Sequence, residues 1–195
     1  MKRGWALCAC AIGLSGCATP MKGIRDVDIN ELGADQALLV LSTAADETCV
    51  SFSSAILLRE AAKGSTPAKN VAVYQLNNKF VKSDFQDEYG KVWATVLPPG
   101  EYDFALSAIN PFMTYSKDET DSNGRYDPAI TKAFSLSPRS VKYVGEIHSD
   151  GCGSVLIHVR DRRQRDIKFL STTEPKLASK EIEYDILVSL REAQN

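Results

Sequence analysis

Short apolar segments separated by turn residues recur along most of this chain and limit what it can fold into. Residues 71–76, 91–97 and 101–106 carry apolar side chains at alternate positions or in β-branched runs. These patterns are typical of strands that bury at least one face. Further segments of this kind are 37–41, 49–53, 55–60, which continues the preceding segment or starts another, 133–136, 141–147 and 155–159. About eight short strands at this spacing predict a mainly β protein with a single antiparallel β-sandwich.

One segment near the C-terminus has helical character. Asp161 is placed to cap a helix, and apolar residues follow it at helical spacing. The sequence therefore predicts one short helix near residues 161–170, which Pro175 ends. In the tail, the apolar residues between 180 and 190 alternate, which favours a last strand, although their spacing also fits a helix face.

The first residues have the form of an export signal. Lys2 and Arg3 precede an apolar run from residue 6 to residue 14. This run is too short to span a bilayer, which needs about 20 residues. The sequence Leu14-Ser15-Gly16-Cys17 follows it directly. The segment therefore indicates a cleaved signal peptide rather than a transmembrane helix.

The four residues 14–17 resemble the bacterial lipobox, in which a large aliphatic residue and two small residues precede a cysteine. The resemblance implies that a peptidase cuts between Gly16 and Cys17. It also implies that the Cys17 thiol carries a diacylglyceryl group and that the new amine is often acylated, for example with palmitate. The alternative is an ordinary secretory signal that ends near Ala18.

The residue after the cysteine bears on location. In the lipoproteins that residues 14–17 resemble, an Asp at this position signals inner-membrane retention, whereas this chain has Ala18. The resemblance therefore implies the outer membrane of a Gram-negative envelope, with the protein facing the periplasm. Two or three acyl chains anchor a protein stably, because each buried methylene contributes about 0.8 kcal/mol.

Length and charge suggest one domain behind a tether. We divide the chain into a signal peptide (1–16), a lipidated linker rich in turn residues (17–34) and a β-sandwich domain (35–195). Cleavage removes two of the 23 basic residues and none of the 25 acidic ones, which leaves a net charge of about −4. This charge argues against nucleic acid as a partner.

Two cysteines remain in the mature domain after cleavage and lipidation. Cys49 and Cys152 would most simply form one disulfide in an oxidising compartment, and two separate buried thiols are the alternative. The loop between them contains about 100 residues, for which the chain-entropy model gives about 4–5 kcal/mol of stabilisation.

Two stretches carry resemblances to known families. Leu97-Pro98-Pro99-Gly100-Glu101-Tyr102-Asp103-Phe104 looks like the hairpin of prealbumin-like (transthyretin-like) sandwich domains, and residues 134–147 resemble a strand pair in exported lipoproteins of this kind. Residues 71–76, with Phe80 and residues 83–85, are similar to a segment of the outer-membrane lipoprotein of type VI secretion. These resemblances imply a prealbumin/Ig-like fold and transfer no catalytic residue.

Candidate binding residues are few. Trp93 could anchor a glycan or a partner if it faces outward, and the basic residues Arg162, Arg163 and Arg165 could contact anionic lipid or phosphate. A solvated helix face is the alternative interpretation of the arginines. His148 and His158 lack the His-x-x-x-His spacing and a cysteine partner, so we predict no metal site and no cofactor.

The sequence contains no nucleophile elbow and no phosphate loop, so we expect no enzyme activity. The leading hypothesis is a membrane-anchored envelope lipoprotein with a structural or docking role and an envelope protein as partner. The alternatives are a glycan- or lipid-binding module of the cell envelope and an accessory lipoprotein of a secretion or envelope complex.

Overall fold

The computed structural model describes residues 32–46, 55–76, 82–107, 129–150 and 157–190. The predicted strand 49–53 and the cysteines Cys17, Cys49 and Cys152 lie outside these ranges. The described elements, in chain order, are β1 (Ala37–Ala45), β2 (Ala55–Glu60), β3 (Lys69–Gln75), β4 (Tyr89–Leu97), β5 (Gly100–Ser107), β6 (Phe134–Leu136), β7 (Val141–Ser149), β8 (Ile157–Arg160), α1 (Arg163–Thr173), α2 (Pro175–Ala178) and β9 (Ile182–Tyr184).

The strands form two sheets. The first has the order β4-β1-β7-β8, with β9 also paired to β7, and the second has the order β3-β2-β5-β6. The mainly β prediction is therefore confirmed. The expectation of a wholly antiparallel arrangement is wrong, because β7 pairs in parallel with both β1 and β9. A parallel pair needs a long crossover, and the chain from β2 to β6 provides it between β1 and β7.

The two sheets share one apolar core. Tyr74 of the second sheet meets Trp93 of the first with ring centroids 5.8 Å apart, and Phe104 also contacts Tyr74. The polar ends of these rings are satisfied inside the protein: the Trp93 indole donates to Thr43 Oγ1 at 2.8 Å, and the Tyr74 hydroxyl lies 2.8 Å from Thr95 Oγ1. This packing joins the sheets face to face through buried aromatic area.

Helices α1 and α2 cover the other face of the first sheet. Leu170 and Leu177 are fully buried there against a second apolar cluster that includes Val40, Val92 and Tyr143. Strands β1 and β7 are consequently buried along their whole length. The sequences of central strands covered on both faces are continuously apolar instead of alternating, as in residues 37–41.

The helix predicted near residues 161–170 is present as α1, with two differences. The residue before its first turn is Arg162, and Asp161 instead accepts a hydrogen bond from the Arg163 backbone at 3.1 Å. The described residues also contain a second helix, α2, which begins at Pro175 instead of ending there. Proline fits the first turn of a helix, where its missing N–H needs no partner.

The turn at residues 98–100 connects the two sheets. Strand β4, which precedes it, lies in the first sheet, and β5, which follows it, lies in the second. The prediction of a hairpin here is therefore corrected to a corner between sheets. The Tyr102 hydroxyl stabilises the corner by donating to the Pro98 carbonyl at 2.8 Å. No helix in the described ranges has the length and apolar character to cross a membrane.

Candidate functional site

A bulge in β7 turns polar side chains under helix α1. Val40 of β1 pairs with Tyr143, but Ser42 pairs with Glu146, so β7 contains one extra residue between these pairs. Gly145 lies in this interval with a φ of +100°, which glycine adopts more readily than other residues. As a result, Ile147 keeps its place in the shared core, while Glu146 comes within ion-pair distance of α1.

Asp166 of α1 is the hydrogen-bonding centre beneath the helix. It is fully buried, and its Oδ2 accepts hydrogen bonds from Ser42 Oγ and from the Tyr143 hydroxyl, each at 2.6 Å. Its Oδ1 accepts from Arg165 Nε at 2.8 Å. Burial and the nearby negative charge of Asp166 raise the pKa of Tyr143 well above its usual value, which keeps this hydroxyl a donor.

Arg165 connects the carboxylates around it. Its Nη2 lies 2.7 Å from Glu146 Oε2, its Nη1 contacts Glu88, and Nη2 donates to Ser42 Oγ at 3.1 Å. The guanidinium carbon is 3.6 Å from the centroid of the Phe85 ring. A cation this enclosed must be paired, because an unpaired buried charge costs several kcal/mol.

Glu146 is the least satisfied member of this group. It is fully buried, and Arg165, Arg162 and His148 place nitrogens 2.7, 3.8 and 3.4 Å from its oxygens. Neither oxygen, however, has a hydrogen-bond partner of acceptable geometry in the described part of the chain. The 2.7 Å approach of Arg165 is therefore an electrostatic contact without good alignment. We call Glu88, Glu146, Arg162, Arg165 and Asp166 the inner charged cluster.

A second group of ionisable residues lies beside this cluster at the ends of three strands. His148 of β7 and His158 of β8 are direct cross-strand partners. His148 Nε2 is 3.0 Å from Asp46 Oδ1 and 3.8 Å from Asp150 Oδ1, while His158 Nε2 is 2.6 Å from Asp150 Oδ2. Arg160 Nη2 lies 3.7 Å from Asp150. We call Asp46, His148, Asp150 and His158 the His–Asp rim.

The rim has both a buried and an exposed part. The side chain of His148 is completely buried, like that of Glu146 in the inner charged cluster, whereas those of Asp46 and His158 are 59% and 43% exposed. The Arg165 guanidinium lies between the carboxylates of the inner charged cluster, which makes that cluster an ion-pair network. The rim presents the His158 imidazole and the Asp46 carboxylate to the surface, where a solute can reach them.

The residues predicted from sequence divide between several environments. Arg165 points into the inner charged cluster and Arg162 lies at its margin. Arg163 is separate: it pairs with Asp161 at 2.7 Å and lies over the Tyr184 ring, and it lowers the pKa of the Asp161 carboxyl. Trp93 is only 7% exposed and belongs to the shared core, which leaves its ring unavailable for a ligand.

Comparisons of the chain with protein-family models, with curated proteins and with solved structures found no match. The function of the protein is therefore inferred from its sequence and from the geometry of the inner charged cluster and the rim.

Proposed function

We propose that this protein is an envelope lipoprotein, anchored through lipid on Cys17, whose folded domain docks to another envelope component without catalysing a reaction. The observation that carries the proposal is the combination of a basic N-terminus, a short apolar run and the Leu14–Cys17 box in the correct order. The first described strand begins at Ala37, so a linker of about twenty residues would separate the lipid from the folded domain.

We also propose that the two sheets form a prealbumin-like sandwich. The shared core between the sheets supports this arrangement, because residues of both sheets belong to one buried apolar cluster. The corner at Pro98, held by the Tyr102 hydroxyl, lies at the segment that resembles the prealbumin family. The mixed pairing of the first sheet is a departure from the expected pattern.

Strand β3 is the surface that we favour for docking. It lies at an edge of the second sheet, and Lys69 and Asn70 at its start are exposed. An edge strand presents backbone donors and acceptors to which a partner can add a strand. The neighbouring residues 61–68 are mostly exposed and form a loop closed by paired backbone hydrogen bonds between Lys63 and Thr66.

The arginines give less support to the alternative of a glycan or anionic lipid ligand. Arg165 is enclosed by carboxylates, and Arg163 is paired with Asp161. Their positive charge is thus largely balanced within the protein, which reduces the attraction that a phosphate would experience. Docking through a protein surface is therefore the better supported of the two hypotheses.

The register of β1 and β7 supports the proposed disulfide. Ala45 and Ser149 are paired at the ends of these parallel strands. Cys49 and Cys152 follow four and three residues later, respectively. Adjacent strands lie about 4.8 Å apart, so segments this short can bring two cysteines within the roughly 5.5–6 Å between Cα atoms that a disulfide requires.

The anchor is tested by fractionating cells that express the full-length chain. We expect the wild-type protein in the membrane fraction, with the added mass of acyl chains on an N-terminal peptide that begins at Cys17. The Cys17→Ser variant should lose the acyl mass and membrane retention, whereas Cys10→Ser, which alters only the signal peptide, should retain both. An unlipidated mature protein that begins near Ala18 would contradict the proposal.

Docking is tested by placing a photo-crosslinkable residue at Asn70 and, as a control, at the exposed Lys180 on the helix-covered side. We expect one envelope protein to crosslink to the Asn70 position in intact cells, and not to Lys180 or to the Cys17→Ser form. The same adducts at both positions, or none at either, would argue against docking through β3.

A further inference from the structure

We propose that the His–Asp rim binds a divalent transition-metal ion, with Asp46, His148, Asp150 and His158 as ligands. Ligand atoms of Asp46, His148 and Asp150 lie within 4.8 Å of one another. The exposed His158 side chain, which pairs with Asp150 at 2.6 Å, would rotate to complete a zinc donor set of two imidazoles and two carboxylates. In a tetrahedral zinc site with bonds of about 2 Å, ligand atoms lie about 3.3 Å from each other. The distances from His148 Nε2 to Asp46 and Asp150, 3.0 and 3.8 Å, lie on either side of this value.

The backbone brings these ligands together from adjacent strands. His148 lies near the end of β7, and Asp150 directly follows that strand, with its carboxylate 3.8 Å from His148 Nε2. His148 and His158 are register partners, so their side chains are neighbours across the β7–β8 pair. Asp46 directly follows β1, and its backbone N–H reaches the Ser149 carbonyl at 3.4 Å. The four residues thus meet at one end of the first sheet.

The environment of His148 favours a positive centre. This buried ring has a carboxylate at each nitrogen: Glu146 at Nδ1 and Asp46 at Nε2. A neutral imidazole carries one proton, so one nitrogen would direct its lone pair at a carboxylate oxygen. A metal ion on Nε2 removes this conflict, because it binds the lone pair and both rim carboxylates while Nδ1–H faces Glu146.

Glu146 has the position of a residue that orients a metal ligand. Histidine ligands commonly donate their second ring N–H to a carboxylate, which fixes the tautomer and increases the basicity of the metal-binding nitrogen. Glu146 Oε1 lies 3.4 Å from His148 Nδ1, and neither atom has a hydrogen-bond partner among the described residues. The bulge at Gly145 gives Glu146 this position, and Arg165 balances part of its charge.

The charge of this region favours a cation. The rim and the inner charged cluster together contain five carboxylates and, with Arg160, three guanidinium groups. This leaves an excess of two negative charges, which attracts cations. The carboxylates are Asp46, Glu88, Glu146, Asp150 and Asp166, and the guanidinium groups are Arg160, Arg162 and Arg165.

Glu88, Glu146 and His148 also lie close enough together to be considered as metal ligands. Arg165, however, contacts both of these glutamates. A metal ion there would have to displace the guanidinium from its carboxylates and from the Phe85 ring. The rim has no such obstacle, since Arg160 approaches Asp150 only to 3.7 Å.

The experiment uses the full-length protein purified in detergent and stripped of metal with a chelator. Zinc is titrated by calorimetry, and cobalt is used as a second probe because its visible absorption reports tetrahedral coordination. We expect one zinc ion per chain. Asp46→Asn and His158→Ala change exposed side chains and should preserve the fold, and each should weaken zinc binding by about tenfold or more. Asp161→Asn, an exposed carboxylate outside the rim, should bind like the wild type.

Glu146→Gln tests the orienting role and should weaken zinc binding about 10- to 100-fold. If this buried variant does not fold, the two surface variants still decide the question. Absence of zinc binding by the wild-type protein would overturn the proposal. Binding that is unchanged in Asp46→Asn and His158→Ala but lost on thiol alkylation would also overturn it, because cysteines would then hold the ion.

Discussion

The helix-covered face of the first sheet is apolar at one end and charged at the other. At the apolar end, Leu38, Val40 and Val92 pack against Leu170 and Leu177. At the charged end, β1 and β7 contribute Ser42, Glu146 and His148, and α1 contributes Arg165 and Asp166. Helix α1 thus takes part both in a hydrophobic cluster, together with α2, and in an ion-pair network.

The two ends differ in what they contribute to the protein. Burying apolar side chains contributes about 25 cal/mol per Å² and needs no specific partner. Burying charges is costly, and replacing a buried ion pair with apolar groups is often neutral or stabilising. The apolar end therefore needs only a stabilising role, whereas the charged end calls for another explanation. The metal site proposed at its margin provides one, because the inner charged cluster holds Glu146 against His148.

Removing Asp166 should have the largest effect. The Asp166→Ala substitution deprives Ser42, Tyr143 and Arg165 of their buried acceptor. Breaking a buried pair from one side leaves a charge uncompensated, so we expect a loss of about 3–5 kcal/mol in the free energy of unfolding. Urea denaturation of the purified protein measures this loss.

Two controls sharpen the result. Asp185→Ala removes a carboxylate that is 54% exposed and pairs with Lys142, and it should cost about 1 kcal/mol or less. Leu170→Ala makes a cavity at the apolar end and should cost about 3 kcal/mol while leaving zinc affinity unchanged. A loss for Asp166→Ala no greater than that for Asp185→Ala would mean that the charged end contributes no more than a surface pair.

Gly145→Ala should have the next largest effect. An added Cβ would lie 3.1 Å from the Arg160 carbonyl oxygen. The alanine would also have to adopt a left-handed φ of +100°. We expect a destabilisation of about 1–3 kcal/mol and weaker zinc binding, because the bulge orients Glu146 and His148. The matched control is Gly64→Ala, which also has a left-handed φ but no atom within 4 Å of the new Cβ. Equal effects of the two substitutions would show that close packing at the bulge is unimportant.

The apolar end could be predicted from the sequence, and the charged end could not. Segments such as 37–41 and 141–147 predict buried strands, because apolar side chains recur within a few residues of each other along them. The inner charged cluster depends on the parallel pairing of β1 with β7, which are separated by about 100 residues, and on one extra residue in β7. Neither local propensity nor spacing encodes such a register.

The rim nevertheless has a signal in the sequence. His148 and Asp150 are two residues apart, which places them on one side of a strand, and His158 follows within the same pair of strands. The His-x-x-x-His spacing does not describe this arrangement, because that spacing belongs to helices. The charge pattern alone could not distinguish a solvated arginine from an enclosed one on helix α1. Arg163 is 45% exposed, whereas Arg165, two residues later, is only 21% exposed.

The smallest expected effect is a dependence of stability on alkaline pH. Burial raises the pKa of Tyr143 above its ordinary value of 10.0, and Asp166 and Glu146 add to this shift. Tyr143 also contacts the Tyr184 ring, which lies under Arg163. Because the folded-state pKa lies above the unfolded one, the contribution to stability is complete below about pH 10 and decreases as the unfolded chain ionises above it.

Comparing Tyr143→Phe with Tyr74→Phe turns this dependence into a test of the two environments. Burial alone raises the pKa of Tyr74 in the shared core, whereas Tyr143 also faces the carboxylate of Asp166. Each substitution should remove up to about one proton from the slope of unfolding free energy against pH near pH 10–11, measured by urea denaturation. Because burial is the largest cause of the Tyr143 shift, Asp166→Asn alone should leave this slope unchanged. It should instead cost less unfolding free energy in the Tyr143→Phe background than in wild type, because the two side chains share a hydrogen bond. Equal losses in both backgrounds would mean that Asp166 and Tyr143 are not coupled, and that the charged end does not act as one network.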